Sequence, residues 1–148
     1  MSRYNSLPYR SLWLEEQDVS NKDAMDLREE MRTLAVHLRA AKAARIPLVY
    51  AVLRHELPVV KIGVSRNLSG RDGRLRRMPG CRLVAVVQGG RDVERSIHTL
   101  LSESRTTVPL RGYGTSEHFR LTPEVVDWVN EARSRIGLAR VDLAAVAA

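Results

Sequence analysis

The sequence has little sulfur, few aromatic side chains and no long apolar run. It holds one cysteine, Cys81, in 148 residues, which excludes an internal disulfide and every multi-cysteine zinc site. No apolar run approaches the ~18 residues that a membrane-spanning helix needs. The N-terminal segment MSRYNSLPYRSLWLEEQ also lacks the continuous apolar stretch of a secretory signal. We therefore expect a cytoplasmic chain with no membrane partner.

Excess positive charge is confined to the middle of the chain. The net charge is +7, and lysine supplies only three of the 24 basic residues. The segment from Arg54 to Arg111 contains twelve basic and five acidic residues, so it accounts for the whole excess. A basic stretch with neutral flanks is typical of proteins that bind a polyanion, nucleic acid first. The alternative is an ordinary solvated surface in an arginine-rich protein.

Apolar periodicity predicts helices at both ends of the chain. Leu27, Met31, Leu34 and Leu38 form one helical stripe between residues 20 and 45. Such a helix packs against the following domain, or it binds a second copy of the chain or a partner protein. Near the C-terminus, Thr122 followed by Pro123 is a helix start, and Gly137 is a helix end.

The segment between these helices alternates strand and helix patterns. Apolar β-type runs predict strands at 48–53, 59–65 and 81–88, with a short fourth strand near 117–121. Helices are expected at 68–78 and after Asp92, which we take as a cap for the stripe Val93, Ile97, Leu100 and Leu101. We therefore predict an α+β fold, a three-stranded antiparallel sheet flanked by helices. The predicted organisation is an extension at 1–46, a central domain at 47–121, and a helix and tail at 122–148.

The first two predicted strands bring a phenol and an ammonium together. If Leu53 pairs with Pro58, Tyr50 lies directly opposite Lys61, with Cβ atoms ~5 Å apart. An ammonium beside a phenol favours the phenolate and attracts phosphate. The alternative is an ordinary aromatic–lysine pair on a solvated sheet face.

Two further groups of residues carry chemistry. Glu94 and His98 are four residues apart, so on a helix they are neighbours, on a face other than that of Ile97. A carboxylate with an imidazole holds a divalent metal or relays protons, although such a pair is also a common surface contact. The arginines of the segment 71–77 present guanidinium groups to phosphate oxygens, or form a solvated helix face.

The order of these motifs resembles that of the GIY-YIG endonuclease superfamily, in its divergent bacterial and phage branch that carries KIG in place of YIG. The first motif corresponds to Val49-Tyr50-Ala51 and the second to Lys61-Ile62-Gly63. The metal-binding glutamate of the family falls on Glu94, and the histidine of the branch falls on His98. The ending of the branch falls on the Ser-Glu-His-Phe run at 116–119.

The arginine of the family falls on Arg74, since Leu75 and Met78 reproduce its spacing, and Arg71 is the competing choice. The resemblance implies hydrolysis of DNA phosphodiester bonds with one divalent metal, Mg²⁺ or Mn²⁺, in a bacterial or phage-infected cell. It implies catalytic roles for Tyr50, Lys61, Arg74, Glu94 and His98, with Glu94 as the metal ligand. The flanking DNA backbone would be held by Arg66, Arg71, Arg76, Arg77 and Arg82.

Two alternatives stand beside the endonuclease interpretation. A nucleic-acid-binding module of the same fold would keep the basic charge without turnover. A protein-interaction module would use the helix at residues 20–45 as its contact surface.

Overall fold

A computed structural model describes residues 14–67, 80–108 and 117–147, with side chains from Asp26 onward. By its internal contacts the chain divides into two compact units, residues 1–32 and 33–148. In the first unit, the described part is helical throughout. The second unit holds the sheet and the remaining helices.

The first helix, α1, spans Leu14–Ala44. It begins six residues before the start predicted at Ser20. In the second unit, Leu34, Leu38 and Ala41 of α1 are buried in a cluster with residues of the sheet. Arg45 then adopts a positive φ of 58° and Pro47 leads into the first strand. The C-terminal part of α1 therefore belongs to the core of the sheet domain.

The sheet has five strands in the described part of the chain, where the sequence predicted three. They are β1 (Leu48–Arg54), β2 (Val59–Ser65), β3 (Cys81–Gln88), β4 (Arg105–Thr106) and β5 (His118–Arg120). Their order is β3-β1-β2-β5-β4, and all neighbouring pairs are antiparallel. The α+β class is confirmed, whereas the strand count is wrong because β4 and β5 extend the sheet beyond β2.

Helices cover both faces of this sheet. One face carries Tyr50 and Val52 and packs with Leu34 and Leu38 of α1. The other face carries Val49, Ala51 and Leu53 of β1, with Ile62 of β2 and Phe119 of β5. It is covered by α2 (Arg91–Leu100), α3 (Pro123–Arg135) and α4 (Leu143–Ala147).

A buried arginine of α3 donates a hydrogen bond to a β-bulge in β3. Ala51 pairs with Ala85 and Val52 pairs with Leu83, so Val84 is left without a partner in β1. The guanidinium of Arg133, which is 2% exposed, donates from Nη1 to the Val84 carbonyl at 2.9 Å and from Nε to the Ala139 carbonyl at 2.8 Å. Bulges disrupt the ladder locally, and this cation supplies a charge-assisted donor at the interruption.

The C-terminal helix α3 follows the predicted cap chemistry. The Thr122 side chain accepts a hydrogen bond from the Val125 amide, and Pro123 occupies the first turn. Helix α2 departs from its prediction, because its N-cap is Gly90 and no side chain caps it. Leu100 is exposed and does not join the stripe of Ile97 and Leu101. No helix in the described part of the chain is long and apolar enough to cross a membrane.

Candidate functional site

Tyr50 and Gly63 face each other across β1 and β2, which corrects the predicted register. The observed pairs are Tyr50 with Gly63 and Val52 with Lys61. The hairpin loop is therefore His55–Pro58, and Arg54 pairs with Val59. The pairing differs from the prediction by two residues, which preserves the face of each side chain because strand side chains alternate with period 2.

The phenol of Tyr50 lies over the glycine. A Cβ built on Gly63 would lie 2.6 Å from the Tyr50 hydroxyl oxygen and 2.8 Å from Cζ. Tyr50 itself is 6% exposed. Only glycine leaves room for the ring at this position, so the residue that completes the KIG motif also determines where the tyrosine hydroxyl lies.

Lys61 lies on the same sheet face as Tyr50, because its cross-strand partner Val52 is two residues from Tyr50 along β1. Diagonal neighbours in a sheet are ~7–8 Å apart at Cα, within reach of long side chains. Lys61 pairs with His118 of β5, and its Nζ lies 3.9 Å from the Oε2 atom of Glu117. Its side chain is 12% exposed, so Lys61 is largely enclosed, with the Glu117 carboxylate near its ammonium.

His98 reaches the neighbouring residue of β2 from α2. Its Nε2 donates to the Ile62 carbonyl at 3.1 Å, and its ring lies 5.2 Å from that of Phe119, centroid to centroid. The Ile62 amide donates to the Glu117 carbonyl at 2.9 Å. Both polar backbone atoms of Ile62 are therefore engaged on the side of β2 away from β1, at the point where the pairing with β5 ends.

Glu94 lies one helical turn before His98 on α2 and is 8% exposed. We expected Glu94 to lie on a face away from the core stripe, and this expectation is wrong. Glu94 and Ile97 are both buried, so the carboxylate is on the inward side of α2. No cation pairs with Glu94 among the residues whose contacts the structure describes.

Two of the predicted site residues, Tyr50 and His98, contact the segment of β2 that begins with Lys61, from opposite faces of the sheet. Lys61 is the first residue of this segment, His98 bonds the carbonyl of the second, and Tyr50 covers the third. Tyr50 and Lys61 lie on the α1 side of the sheet, whereas Glu94 and His98 come from the helix on the other side. Arg71 and Arg74 lie outside the described residues.

The predicted DNA-backbone residues are only partly within the described chain. Arg66 follows β2 directly and is exposed, and Arg82 in β3 is half-buried. Arg76 and Arg77 lie outside the described residues, as does the predicted helix at 68–78. In the ranges 26–67, 80–108 and 117–147, no group of three His, Cys, Asp or Glu side chains is arranged to hold a metal ion.

Sequence reasoning gave no role to Glu117, which the structure brings to Lys61. Its backbone carbonyl and its carboxylate both contact β2. The resemblance of residues 116–119 to the ending of the family branch includes Glu117, but it does not indicate that Glu117 contacts Lys61. The hydrogen bond from His98 to a backbone carbonyl leaves no trace in the sequence, since every residue has such a carbonyl.

Comparisons of the chain with models of known protein families, with curated proteins and with solved structures found no match.

Proposed function

We propose that this protein is a metal-dependent endonuclease or nickase of the GIY-YIG type, which hydrolyses phosphodiester bonds in DNA. The observation that carries the proposal is that two of the predicted site residues contact the KIG segment of β2, Tyr50 over Gly63 and His98 at the Ile62 carbonyl. Tyr50 and Gly63 are partners within one hairpin, whereas His98 is 36 residues from Ile62, so the contact of His98 depends on the tertiary fold.

The phenol and the ammonium have complementary roles in such a reaction. Tyr50, whose hydroxyl lies over Gly63, orients the attacking water as the phenol or accepts its proton as the phenolate. Lys61, on the same face, supplies positive charge to the phenolate or to a phosphate oxygen. The water oxygen bonds to phosphorus as one P–O ester bond of the backbone breaks.

Glu94 is the residue that would hold the divalent metal. Its carboxylate is a hard oxygen donor without a cationic partner among the described residues. Mg²⁺ is commonly held by one or two carboxylates, with waters and substrate phosphates completing its shell, so one carboxylate fits this ion. When bound, the ion would supply Lewis-acid stabilisation of charge on the phosphate.

The basic middle of the chain supplies the binding surface for DNA. Arg66 and Arg82 are the described members of this set, and Arg74, or Arg71 in its place, is proposed to stabilise charge on the scissile phosphate. Because such contacts release counterions, binding weakens steeply with salt.

The test is nicking of supercoiled plasmid by the full chain. Nicking in Mg²⁺ or Mn²⁺ that stops on addition of EDTA, and that is lost in Glu94→Ala, supports the endonuclease. A matched control is Glu103→Ala, which removes an exposed carboxylate from the same basic segment and should nick at the wild-type rate. Metal-independent cleavage would contradict the proposal.

A catalytically inactive DNA-binding module is the second candidate, favoured by the low exposure of Tyr50 beneath Leu34 and Leu38. It predicts salt-dependent DNA binding in fluorescence anisotropy with no nicking in any divalent metal. Binding that does not change between 50 and 200 mM salt would remove both candidates.

A further inference from the structure

We propose that His98 is a positioning residue that fixes α2, and with it Glu94, against the KIG segment of β2, and that its Nε2 atom does not transfer protons. This inference deepens the proposed function and rests on it. It follows from which ring nitrogen is engaged, what that nitrogen contacts and what else holds α2.

The hydrogen bond of His98 sets the state of its imidazole. A carbonyl oxygen only accepts, so the Nε2 atom that contacts the Ile62 carbonyl carries a hydrogen in either charge state of the ring. Proton transfer at Nε2 would require that bond to break. Ile62 is fully buried, so the broken bond would leave a buried carbonyl without its donor, which is costly.

Apolar packing also holds α2 against the sheet, and this packing is not directional. Ile97 and Leu101 enter the apolar cluster around Phe119, and apolar burial holds two surfaces together without fixing their relative register. A hydrogen bond is directional in both distance and angle. Among the described residues, the bond from His98 is the side-chain hydrogen bond from α2 to β2, so it sets the position of the helix along the strand.

The position of the Glu94 carboxylate depends on this hydrogen bond. It lies one turn before His98 on the same inward side of α2, so any shift of the helix moves its carboxylate relative to residues 61–63. Groups that do not touch the metal but orient one of its ligands typically contribute 10- to 100-fold in metal affinity or activity. His98 would act in this way, through the backbone of Ile62.

Substitution of His98 by glutamine or by asparagine distinguishes a positioning role from an acid–base role. In His98→Gln the amide nitrogen reaches the position of Nε2 and can still donate to the Ile62 carbonyl. In His98→Asn the shorter side chain places its amide near the Nδ1 position, and His98→Ala removes both. We expect His98→Gln to nick within about threefold of wild type with an unchanged pH–rate profile. We expect His98→Asn and His98→Ala to lose about 10- to 100-fold. A glutamine variant as inactive as the alanine variant would overturn the proposal.

A readout on the metal-free wild-type protein does not depend on cleavage. Long-range ¹H–¹⁵N NMR of the imidazole should show hydrogen on Nε2 with the lone pair on Nδ1, and hydrogen exchange should be slow at Nε2. A ring protonated only on Nδ1 would overturn the positioning role. If wild-type protein shows the expected tautomer but nicks no DNA, the contact of His98 stands and the proposed function fails.

Discussion

The hydroxyl oxygen of Tyr50 lies 2.6 Å from the position that a Cβ of residue 63 would occupy. Tyr50 in β1 and Gly63 in β2 are direct cross-strand partners, and the ring of one fills the space left by the other. The motifs Val49-Tyr50-Ala51 and Lys61-Ile62-Gly63 are therefore in packing contact. Residue 63 must be glycine to leave room for the ring of Tyr50.

Replacing Gly63 by alanine should displace the phenol. The ring is buried, so it cannot swing aside freely, and overpacking a buried position typically costs about 1–3 kcal/mol of unfolding free energy. Urea denaturation measures this cost, and nicking should fall at least tenfold. The matched variant Gly90→Ala, whose Cβ would meet Pro47 Cγ at an ordinary 3.5 Å, should lose at most about 1 kcal/mol. Equal losses in the two variants would contradict the contact.

Removing the charge of Lys61 should affect catalysis more than stability. Lys61→Met keeps the apolar stem of the side chain, and the partner Glu117 is 36% exposed, so the ion pair contributes about 1 kcal/mol or less. We expect thermal unfolding near that of wild type, with nicking reduced about tenfold or more. Glu117→Gln, which leaves the ammonium in place, should retain DNA binding in anisotropy measurements. A Lys61→Met variant with wild-type nicking would exclude a role for the ammonium.

Arg133 should be important for stability. Its guanidinium donates to the carbonyl of the buried residue Val84 and to that of the exposed residue Ala139. Arg133→Met would leave the buried Val84 carbonyl without this donor, at a cost of about 1–3 kcal/mol. Arg135→Met is the matched control, because Arg135 is exposed and forms a surface pair with Glu131 that contributes at most about 0.5 kcal/mol. Chemical denaturation of the two variants should give clearly different midpoints.

The C-terminal part of α1 should be an integral part of the sheet domain. Leu38 is 2% exposed in the cluster that contains Tyr50, so Leu38→Ala should destabilise the protein by about 2–5 kcal/mol. Val36 lies two residues away but is 55% exposed, and Val36→Ala should change stability by at most about 0.5 kcal/mol. Similar denaturation midpoints for the two variants would show that α1 does not pack as described.

The central strands were predictable because their signals are local. The bounds of β2 and β3 match the apolar runs at 59–65 and 81–88, each bordered by residues that interrupt a strand. Strand β5 lies within the short strand predicted near 117–121, but nothing in the sequence indicated that it pairs with β2. Strand β4 has two residues, too few to display a period, so the five-stranded sheet could not be read from the pattern.

The register and the burial of the candidate site residues could not be predicted from the sequence. The hairpin loop His55–Pro58 contains no glycine or asparagine to specify a turn type, so nothing local fixed the register that sets Tyr50 against Gly63. The burial of Glu94 was missed because a carboxylate on an otherwise apolar helix side is counted as surface by any periodicity rule. Both features depend on tertiary packing.

The single-turnover rate of plasmid nicking in Mg²⁺ by Glu94→Gln tests the central claim most directly. Glutamine preserves the size of the buried side chain and removes the charge that would hold the ion, so folding is left intact while the metal site is weakened. The account predicts metal-dependent nicking by wild type and by the control Glu103→Gln, with at least a hundredfold lower rate in Glu94→Gln. Nicking by Glu94→Gln at the wild-type rate would contradict it.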